Sequence, residues 1–267
     1  MVWDLDEEKE STFVTSKIVK VKGNIGEYQG KRQINIQRFR KVGEDDNISL
    51  SDVVQTSPVD PKQITNSIRM CIDDMKNEVI KKITNSIFAK YELEFERFPA
   101  AKGMHHAYNG GLAYHTFSML NLAKEIATLY PVLNKDLLFS SVILHDIMKV
   151  AEYDFDGVTT SDYTLMGKLI GHITLTSEQI GRTAEELGIE DTEEVLLLRH
   201  CINAHHGKGE WGSPVSPQVP EALALHMIDM FDAKFEMLRK GLEDVEVGQF
   251  TERLFGLDNQ AYYKHGL

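Results

Sequence analysis

Residues 137–146 read LLFSSVILHD, an apolar run that ends in a histidine and an aspartate. An imidazole and a carboxylate at the end of a buried helix are costly to remove from water unless they share a partner. A divalent metal ion suits both groups, because it accepts a neutral imidazole nitrogen and a carboxylate oxygen together. His145 and Asp146 are therefore the first candidates for a metal site.

Further candidate ligands lie on, or at the ends of, other predicted helices. They are His115, His172, His205, His206 and Asp229. Helical bundles build metal sites in this way, from inward side chains on facing helices. Imidazole and carboxylate without thiolate favour manganese, iron, zinc, nickel or cobalt over a purely structural zinc site. Seven ligands exceed the needs of one ion, so we expect two divalent ions that are bridged by Asp146 and clamp a phosphoryl group.

The composition is that of an ordinary globular protein. The chain has 267 residues, of which 42% are hydrophobic and 26% are charged, enough for one large domain or for a small and a medium one. No apolar stretch is long enough to span a bilayer, and the acidic start lacks the features of a secretory signal. Cys71 and Cys201 provide neither a disulfide framework nor a cysteine zinc site. We therefore expect a cytoplasmic protein.

The charge is spread unevenly along the chain. The net charge of −12 argues against nucleic-acid binding by bulk attraction. Residues 17–41, however, carry eight basic side chains and one acidic side chain. A local basic surface of this kind indicates a phosphate-bearing ligand, although a simple solvated face is the alternative.

The first part of the chain reads as strands and the rest as helices. Residues 18–25 and 32–39 alternate apolar with polar residues, and the intervening glycines provide a turn. The sequence predicts a small β module over residues 1–45, with about three strands between residues 12 and 42, and a polar linker over 46–61 with a short structured turn at most.

Beyond Pro61 the hydrophobic period changes to three or four residues. The stripe from Ile64 to Ile87 predicts one long amphipathic helix. Further helices are predicted over approximately 112–130, 134–148, 162–187, 191–205 and 218–240. Residues 62–267 are thus expected to form a helical domain without strand alternation, and the fold to be mainly α.

The metal-ligand candidates resemble a known signature. His115, His145-Asp146 and Asp229 are similar to the signature of the HD-domain metal-dependent phosphohydrolases, and His172 with His205-His206 resembles the extra ligands of their dinuclear members. Several further motifs resemble the YhaM family of 3′→5′ exoribonucleases. They are Pro99-Ala100-Ala101-Lys102, His105-His106, Gly110-Gly111-Leu112, His115-Thr116, Gly167-Lys168-Leu169-Ile170-Gly171-His172, His205-His206-Gly207-Lys208 and Glu221-Ala222-Leu223-Ala224-Leu225-His226.

The resemblance implies a role for each ligand. His115, His145, Asp146 and Asp229 would hold the first metal ion, and Asp146 would bridge to a second ion held by His172, His205 and His206. The choice between His205 and His206 is open. Manganese is the metal most expected. Lys149 would neutralise a phosphate oxygen in the transition state, although it could instead be a charge that favours the end of a helix.

Other polar residues have two interpretations each. Lys102, His105, His106 and Lys208 are candidate substrate-binding residues, and ordinary solvated loop positions are the alternative. His226 precedes Asp229 by three residues and could orient it or simply pack.

The resemblance also implies an OB domain ahead of the HD domain. An OB barrel has five strands, and the sequence before the linker provides fewer, so we expect an incomplete OB-like module, from a truncated N-terminus or a shortened gene. Its open edge strands would invite pairing with another copy, so a homo-oligomer is possible.

Three functions follow as hypotheses. The first is metal-dependent 3′→5′ exonuclease activity on single-stranded RNA, or DNA, that releases nucleoside monophosphates; the polymer substrate comes from the resemblance alone. The second is hydrolysis of a small nucleotide, such as a cyclic dinucleotide or a nucleoside polyphosphate. The third is a non-catalytic nucleic-acid-binding protein.

Overall fold

The computed structural model describes residues 18–28, 31–48, 52–103, 106–157 and 160–267. The chain divides into two compact units, with the boundary in the sequence between Gln55 and Thr56. The predicted domain boundaries at residues 45 and 61 stay predictions.

The first unit contains an antiparallel hairpin. Strand β1 (Val19–Tyr28) pairs with strand β2 (Lys31–Lys41), with a register shift between Lys22 and Gly23. A Cβ atom at Gly23 would lie 2.3 Å from the carbonyl oxygen of Asn35, so this close approach of the strands requires glycine. The strand alternation predicted both strands correctly. Residues 1–17, where a third strand was expected, lie outside the described residues.

Basic residues of this hairpin are partly neutralised within the unit. Lys20 and Arg40 both bind the carboxylate of Asp46, at 2.8 and 2.7 Å. Asp46 ends a short 3-10 turn, Glu44–Asp46.

The second unit is mainly helical, as predicted. Its helices are α1 (Pro61–Asp73), α2 (Glu78–Phe95), α3 (Gly111–Leu129), α4 (Lys135–Leu144), α5 (Lys149–Glu152), α6 (Leu165–Leu169), α7 (His172–Leu187), α8 (Glu193–Ala204) and α9 (Pro220–Glu243). A second antiparallel hairpin, β3 (Tyr153–Phe155) with β4 (Thr160–Tyr163), interrupts them. The expectation of no strands in this part was wrong, because strands of three and four residues are too short to give a visible alternation.

The single helix predicted from Ile64 to Ile87 is two helices. The side chain of Asn77 caps α2 by accepting hydrogen bonds from the backbone N–H groups of Val79 and Ile80, both at 3.0 Å. The carboxylate of Asp136 binds the backbone N–H groups of Lys76 and Asn77 at 2.7 Å. The apolar stripe continues across this break, so periodicity alone does not reveal it.

The helix predicted over 162–187 is also divided, and the division places a candidate ligand. The hydroxyl of Thr164 caps α6 by accepting from the backbone N–H of Gly167 at 2.9 Å. Gly171 has φ 77°, a conformation that favours glycine, and α7 begins at the next residue, His172. His172 therefore stands at a helix N-terminus rather than within a helix.

Helix α4 is the centre of this unit. It contacts α1, α2, α3, α8 and α9, so it is surrounded by other helices. Leu138, Val142 and Leu144 have no exposed surface, as expected for a helix that is hydrophobic all round. Its C-terminal end delivers His145 and Asp146 into the interior. Among the described residues, no helix combines the length and the apolar character that crossing a bilayer requires.

Candidate metal centre

One oxygen of Asp146 faces a first group of candidate ligands. Oδ2 lies 3.2 Å from Nε2 of His145 and 3.8 Å from Nε2 of His115. The same Nε2 atom of His115 lies 3.3 Å from Oδ1 of Asp229 on α9 and 3.3 Å from Nε2 of His145. Side chains from α3, the end of α4 and α9 thus lie close together.

The other oxygen of Asp146 faces the remaining histidines. Oδ1 lies 3.2 Å from Nε2 of His172 and 3.9 Å from Nε2 of His205. The ring of His206 lies 4.3 Å from that of His205 and 5.5 Å from that of His172, measured between centroids. All seven candidate ligands are therefore in one place, and Asp146 lies between the two groups.

Three buried polar atoms here make no hydrogen bond within the described part of the chain. They are Oδ1 of Asp146, Nε2 of His172 and Nε2 of His205. An unsatisfied buried polar atom costs about 1–3 kcal/mol, so three that face each other need a shared partner. A divalent cation would accept all three, so the donor set fits a metal ion.

Backbone carbonyls orient three of the histidines. The Nδ1–H groups of His145, His205 and His206 donate to the carbonyl oxygens of Val142, Ile202 and Trp211 at 2.8, 2.7 and 2.7 Å. With the proton on Nδ1, the lone pair of Nε2 is directed into the site, as metal-binding histidines require.

Carboxylates that the sequence did not identify orient the other two. Glu152 accepts a hydrogen bond from Nδ1 of His172 at 2.9 Å, and Asp232 accepts one from Nδ1 of His115 at 2.7 Å. Asp232 follows Asp229 by three residues on α9, a spacing that puts both carboxylates on the same face. This three-residue spacing is the feature of the sequence that could have identified Asp232.

His106 is placed differently from the expectation that it contacts substrate. Its side chain is only 2% exposed, and its ring nitrogens lie 2.8 Å from the hydroxyl of Tyr108 and from Oδ2 of Asp232. It therefore supports Asp232 from the interior. The turn behind it requires Gly111, where a Cβ atom would lie 1.9 Å from the carbonyl oxygen of His106. His105 lies outside the described residues.

Lys149 points into the site from α5. Its side chain is buried, and Nζ lies 2.6 Å from Oδ2 of Asp146. Burial alone would lower the pKa of Lys149, but the charge of Asp146 outweighs it and raises the pKa. Burial would likewise raise the pKa of Asp146, whereas the charges of His145 and Lys149 hold it well below its usual range. An ammonium group is therefore kept beside the carboxylate.

The surroundings of His115 favour its protonated form. Burial alone would lower its pKa, but hydrogen bonds to Asp229 and Asp232 outweigh burial and raise the pKa to about 10. A metal ion that binds Nε2 must displace this proton.

The loop after α8 packs around His226. Nδ1 of His226 donates to the carbonyl oxygen of His205 at 2.9 Å, so His226 holds the backbone of a candidate ligand rather than orienting Asp229. Gly207 has φ 79°, and a Cβ atom there would lie 2.5 Å from the His226 ring.

The two lysines expected to bind substrate are exposed. Lys102 pairs with Asp162 at 3.2 Å, and Lys208 lies 3.7 Å from Glu210.

A cavity of about 580 Å³ opens onto this site. Its polar side includes Asp146, Lys149, His172, His206 and Asp229. The remaining wall is mainly apolar and aromatic, and is formed by Ala101, Tyr153, Tyr163, Trp211, Met230, Ala233 and Met237. A cavity lined by both polar and apolar groups suits a ligand of mixed character, such as a nucleotide.

Comparisons with known proteins agree with this geometry. Residues 112–234 match the HD domain, a range that includes all seven candidate ligands. The chain is 46% identical to the 3′-5′ exoribonuclease YhaM of Bacillus pumilus and to that of Bacillus licheniformis, and 45% identical to that of Bacillus subtilis. Each of these similarities covers 98% of this chain and 83% of the relative. No solved structure matches the chain.

Proposed function

This chain belongs to the YhaM family of 3′→5′ exoribonucleases, and we propose that it hydrolyses phosphodiester bonds of single-stranded RNA from the 3′ end, releasing nucleoside monophosphates. The position of Asp146 carries the proposal. Its two carboxylate oxygens face two separate groups of imidazoles, at 3.2 Å from His145 and 3.2 Å from His172. A carboxylate placed in this way suits a bridge between two cations.

Two divalent ions fit the donors. His115, His145, Asp146 and Asp229 would hold one ion, and Asp146, His172, His205 and His206 would hold the other. Imidazole and carboxylate ligands suit manganese, which we propose as the metal. When bound, two such ions polarise the phosphoryl oxygens and make a water molecule nucleophilic near neutral pH.

The chain's own residues complete the electrostatics of the reaction. The Lys149 ammonium lies at the cavity wall beside Asp146, where it adds positive charge for a phosphate oxygen. Glu152 and Asp232 fix the orientation of His172 and His115 through their Nδ1 atoms. No side chain is needed as a nucleophile, and both cysteines of the chain are free and buried.

The experiment compares substrates directly. The purified protein with Mn²⁺ is incubated with a 5′-labelled single-stranded RNA of about 20 nucleotides, the matching DNA and a cyclic dinucleotide. We expect a descending ladder from the RNA and release of nucleoside 5′-monophosphates. Retention of the label on progressively shorter products shows the 3′→5′ direction. Faster turnover of the cyclic dinucleotide than of RNA would overturn the proposal in favour of small-nucleotide hydrolysis.

A further inference from the structure

Two aromatic side chains of the cavity wall, Trp211 and Tyr163, each have a lysine ammonium group over the ring. We propose that these two aromatic–lysine pairs, Trp211 with Lys208 and Tyr163 with Lys102, form subsites for single-stranded RNA, with bases stacked on the rings and backbone phosphates at the ammonium groups. This inference rests on the proposed function, and it names the residues that hold the polymer beside the metal centre.

The first pair adjoins the second group of histidines. Trp211 lines the cavity with its side chain about half exposed, and Nζ of Lys208 lies 4.6 Å from the centroid of its ring. The carbonyl oxygen of Trp211 accepts the hydrogen bond from Nδ1 of His206 at 2.7 Å. The indole is therefore held close to a candidate ligand, and a base would stack on the face that Lys208 now covers once the ammonium turns to a phosphate.

The ring of the second pair, Tyr163, lies on β4 of the β3–β4 hairpin. Tyr163 lines the same cavity and is 38% exposed, and Nζ of Lys102 lies 5.7 Å from its ring centroid. The ring packs 5.2 Å from that of Tyr153, its partner in the hairpin register. Tyr153 directly follows Glu152, the carboxylate that orients His172. The Tyr163 ring is thus held near the candidate metal centre, because Tyr153 and Glu152, which link it to His172, are buried.

The chemistry of both pairs is that of a single-strand binding track. Proteins bind single strands by stacking successive bases on aromatic rings and by neutralising phosphates with basic side chains, and every base has a face that can stack. The acids beside the lysines, Asp162 and Glu210, form exposed ion pairs, which contribute little and can be exchanged for a phosphate. Asp162 also pairs with Lys168, so it keeps a partner when Lys102 turns to a phosphate. Stacking and charge contacts of this kind predict low base selectivity.

The test separates polymer binding from the chemistry of the metal centre. For Trp211→Ala and Tyr163→Ala, kcat/KM is measured on single-stranded RNA and on bis(p-nitrophenyl) phosphate, a small diester with no base and no second phosphate. We expect the ratio of the two values to fall about tenfold in each variant, the size of effect that loss of one stacked base produces. Trp211→Phe keeps a ring and is expected to restore most of the ratio.

The lysines have their own readout. Lys102→Gln and Lys208→Gln are each expected to reduce the slope of log KM for RNA against log salt concentration by about 0.7, the contribution of one phosphate contact on a single strand. Tyr130→Ala and Lys135→Gln are the matched controls, because both residues are exposed and neither lines the cavity. They should leave the ratio and the slope unchanged.

The outcomes distinguish this inference from the proposed function. If the wild-type protein hydrolyses the small diester but not RNA, the proposed function fails. If it degrades RNA, and aromatic variants that keep the circular dichroism spectrum of the wild type lose activity on both substrates equally, or on neither, the subsites are wrong while the nuclease activity stands. The small diester also reports on folding, because a misfolded variant would lose both activities together.

Discussion

Oδ2 of Asp232 lies 2.7 Å from Nδ1 of His115, deep in the interior between α9 and α3. The same oxygen lies 2.8 Å from Nε2 of His106, whose Nδ1 lies 2.8 Å from the hydroxyl of Tyr108. A chain of hydrogen bonds therefore leads from Tyr108 to a candidate ligand. It fixes the ring of His115 so that Nε2 faces Asp229 and Asp146.

Asp232→Asn should weaken metal binding while keeping the shape of the side chain. Loss of a carboxylate that orients a histidine ligand costs about 10- to 100-fold in metal affinity. Isothermal titration with Mn²⁺ measures the effect, and the affinities are compared after correction for the proton released by His115, because the substitution also lowers that pKa. Glu221→Gln is the control, because Glu221 is an equally buried carboxylate on α9 that binds the backbone N–H of Asn134 and does not line the cavity. Equal affinities for Asp232→Asn and the wild type would show that Asp232 is only structural.

Asp146→Asn should abolish hydrolysis. The variant loses the charge that serves both groups of imidazoles, and metal-ion effects on phosphoryl transfer amount to several kcal/mol. We expect a fall in kcat of at least about 1000-fold, measured on single-stranded RNA with Mn²⁺. Circular dichroism shows whether the helical fold is retained. Unchanged activity in this variant would favour the third hypothesis, a non-catalytic nucleic-acid-binding protein.

Metal binding should stabilise the protein against heat. Within the described ranges of the chain, Asp146, His172 and His205 each have a buried polar atom that makes no hydrogen bond. A ligand that binds only the folded state adds about 2.7 kcal/mol of stability at a concentration of 100 times its dissociation constant. The melting temperature is therefore expected to rise by several degrees with Mn²⁺ and to fall again with EDTA. Asp146→Asn should show a much smaller shift, and an equal shift in both proteins would point to metal binding elsewhere.

The candidate ligands could be identified from the sequence because the identity of a residue is local information. A histidine or an aspartate that follows an apolar helical run, as at His145 and Asp146, can be recognised from the sequence alone. The supporting groups were harder to find, because Glu152 and Asp232 look like ordinary surface acids until the fold brings His172 and His115 against them. The interior position of His106 was missed for the same reason, since its partner Asp232 is 126 residues away.

Helix boundaries were less predictable than helix positions. The break before α2 depends on Asn77 and on Asp136, which comes from another part of the chain. Hydrophobic periodicity reports which face is buried and does not report where the backbone leaves the helix. The predicted substrate lysines, Lys102 and Lys208, were found on the surface beside aromatic rings, a relationship that only the folded chain reveals.

Metal affinity should increase with pH, because His115 must lose a proton before it can bind a cation. Burial alone would lower the pKa of His115, but the bonds to Asp229 and Asp232 raise it to about 10. At pH 7 the imidazole is therefore protonated, and below its pKa each unit of decrease in pH should weaken Mn²⁺ binding about tenfold. Titration calorimetry in two buffers with different enthalpies of ionisation gives the number of protons released, and we expect at least one. Asp232→Asn removes one of the two bonds that raise this pKa, so it should lower the pH at which affinity stops increasing. An Mn²⁺ affinity that is constant between pH 6 and pH 8 would show that His115 is already neutral in the metal-free protein, and that the first group of ligands is assembled without proton release.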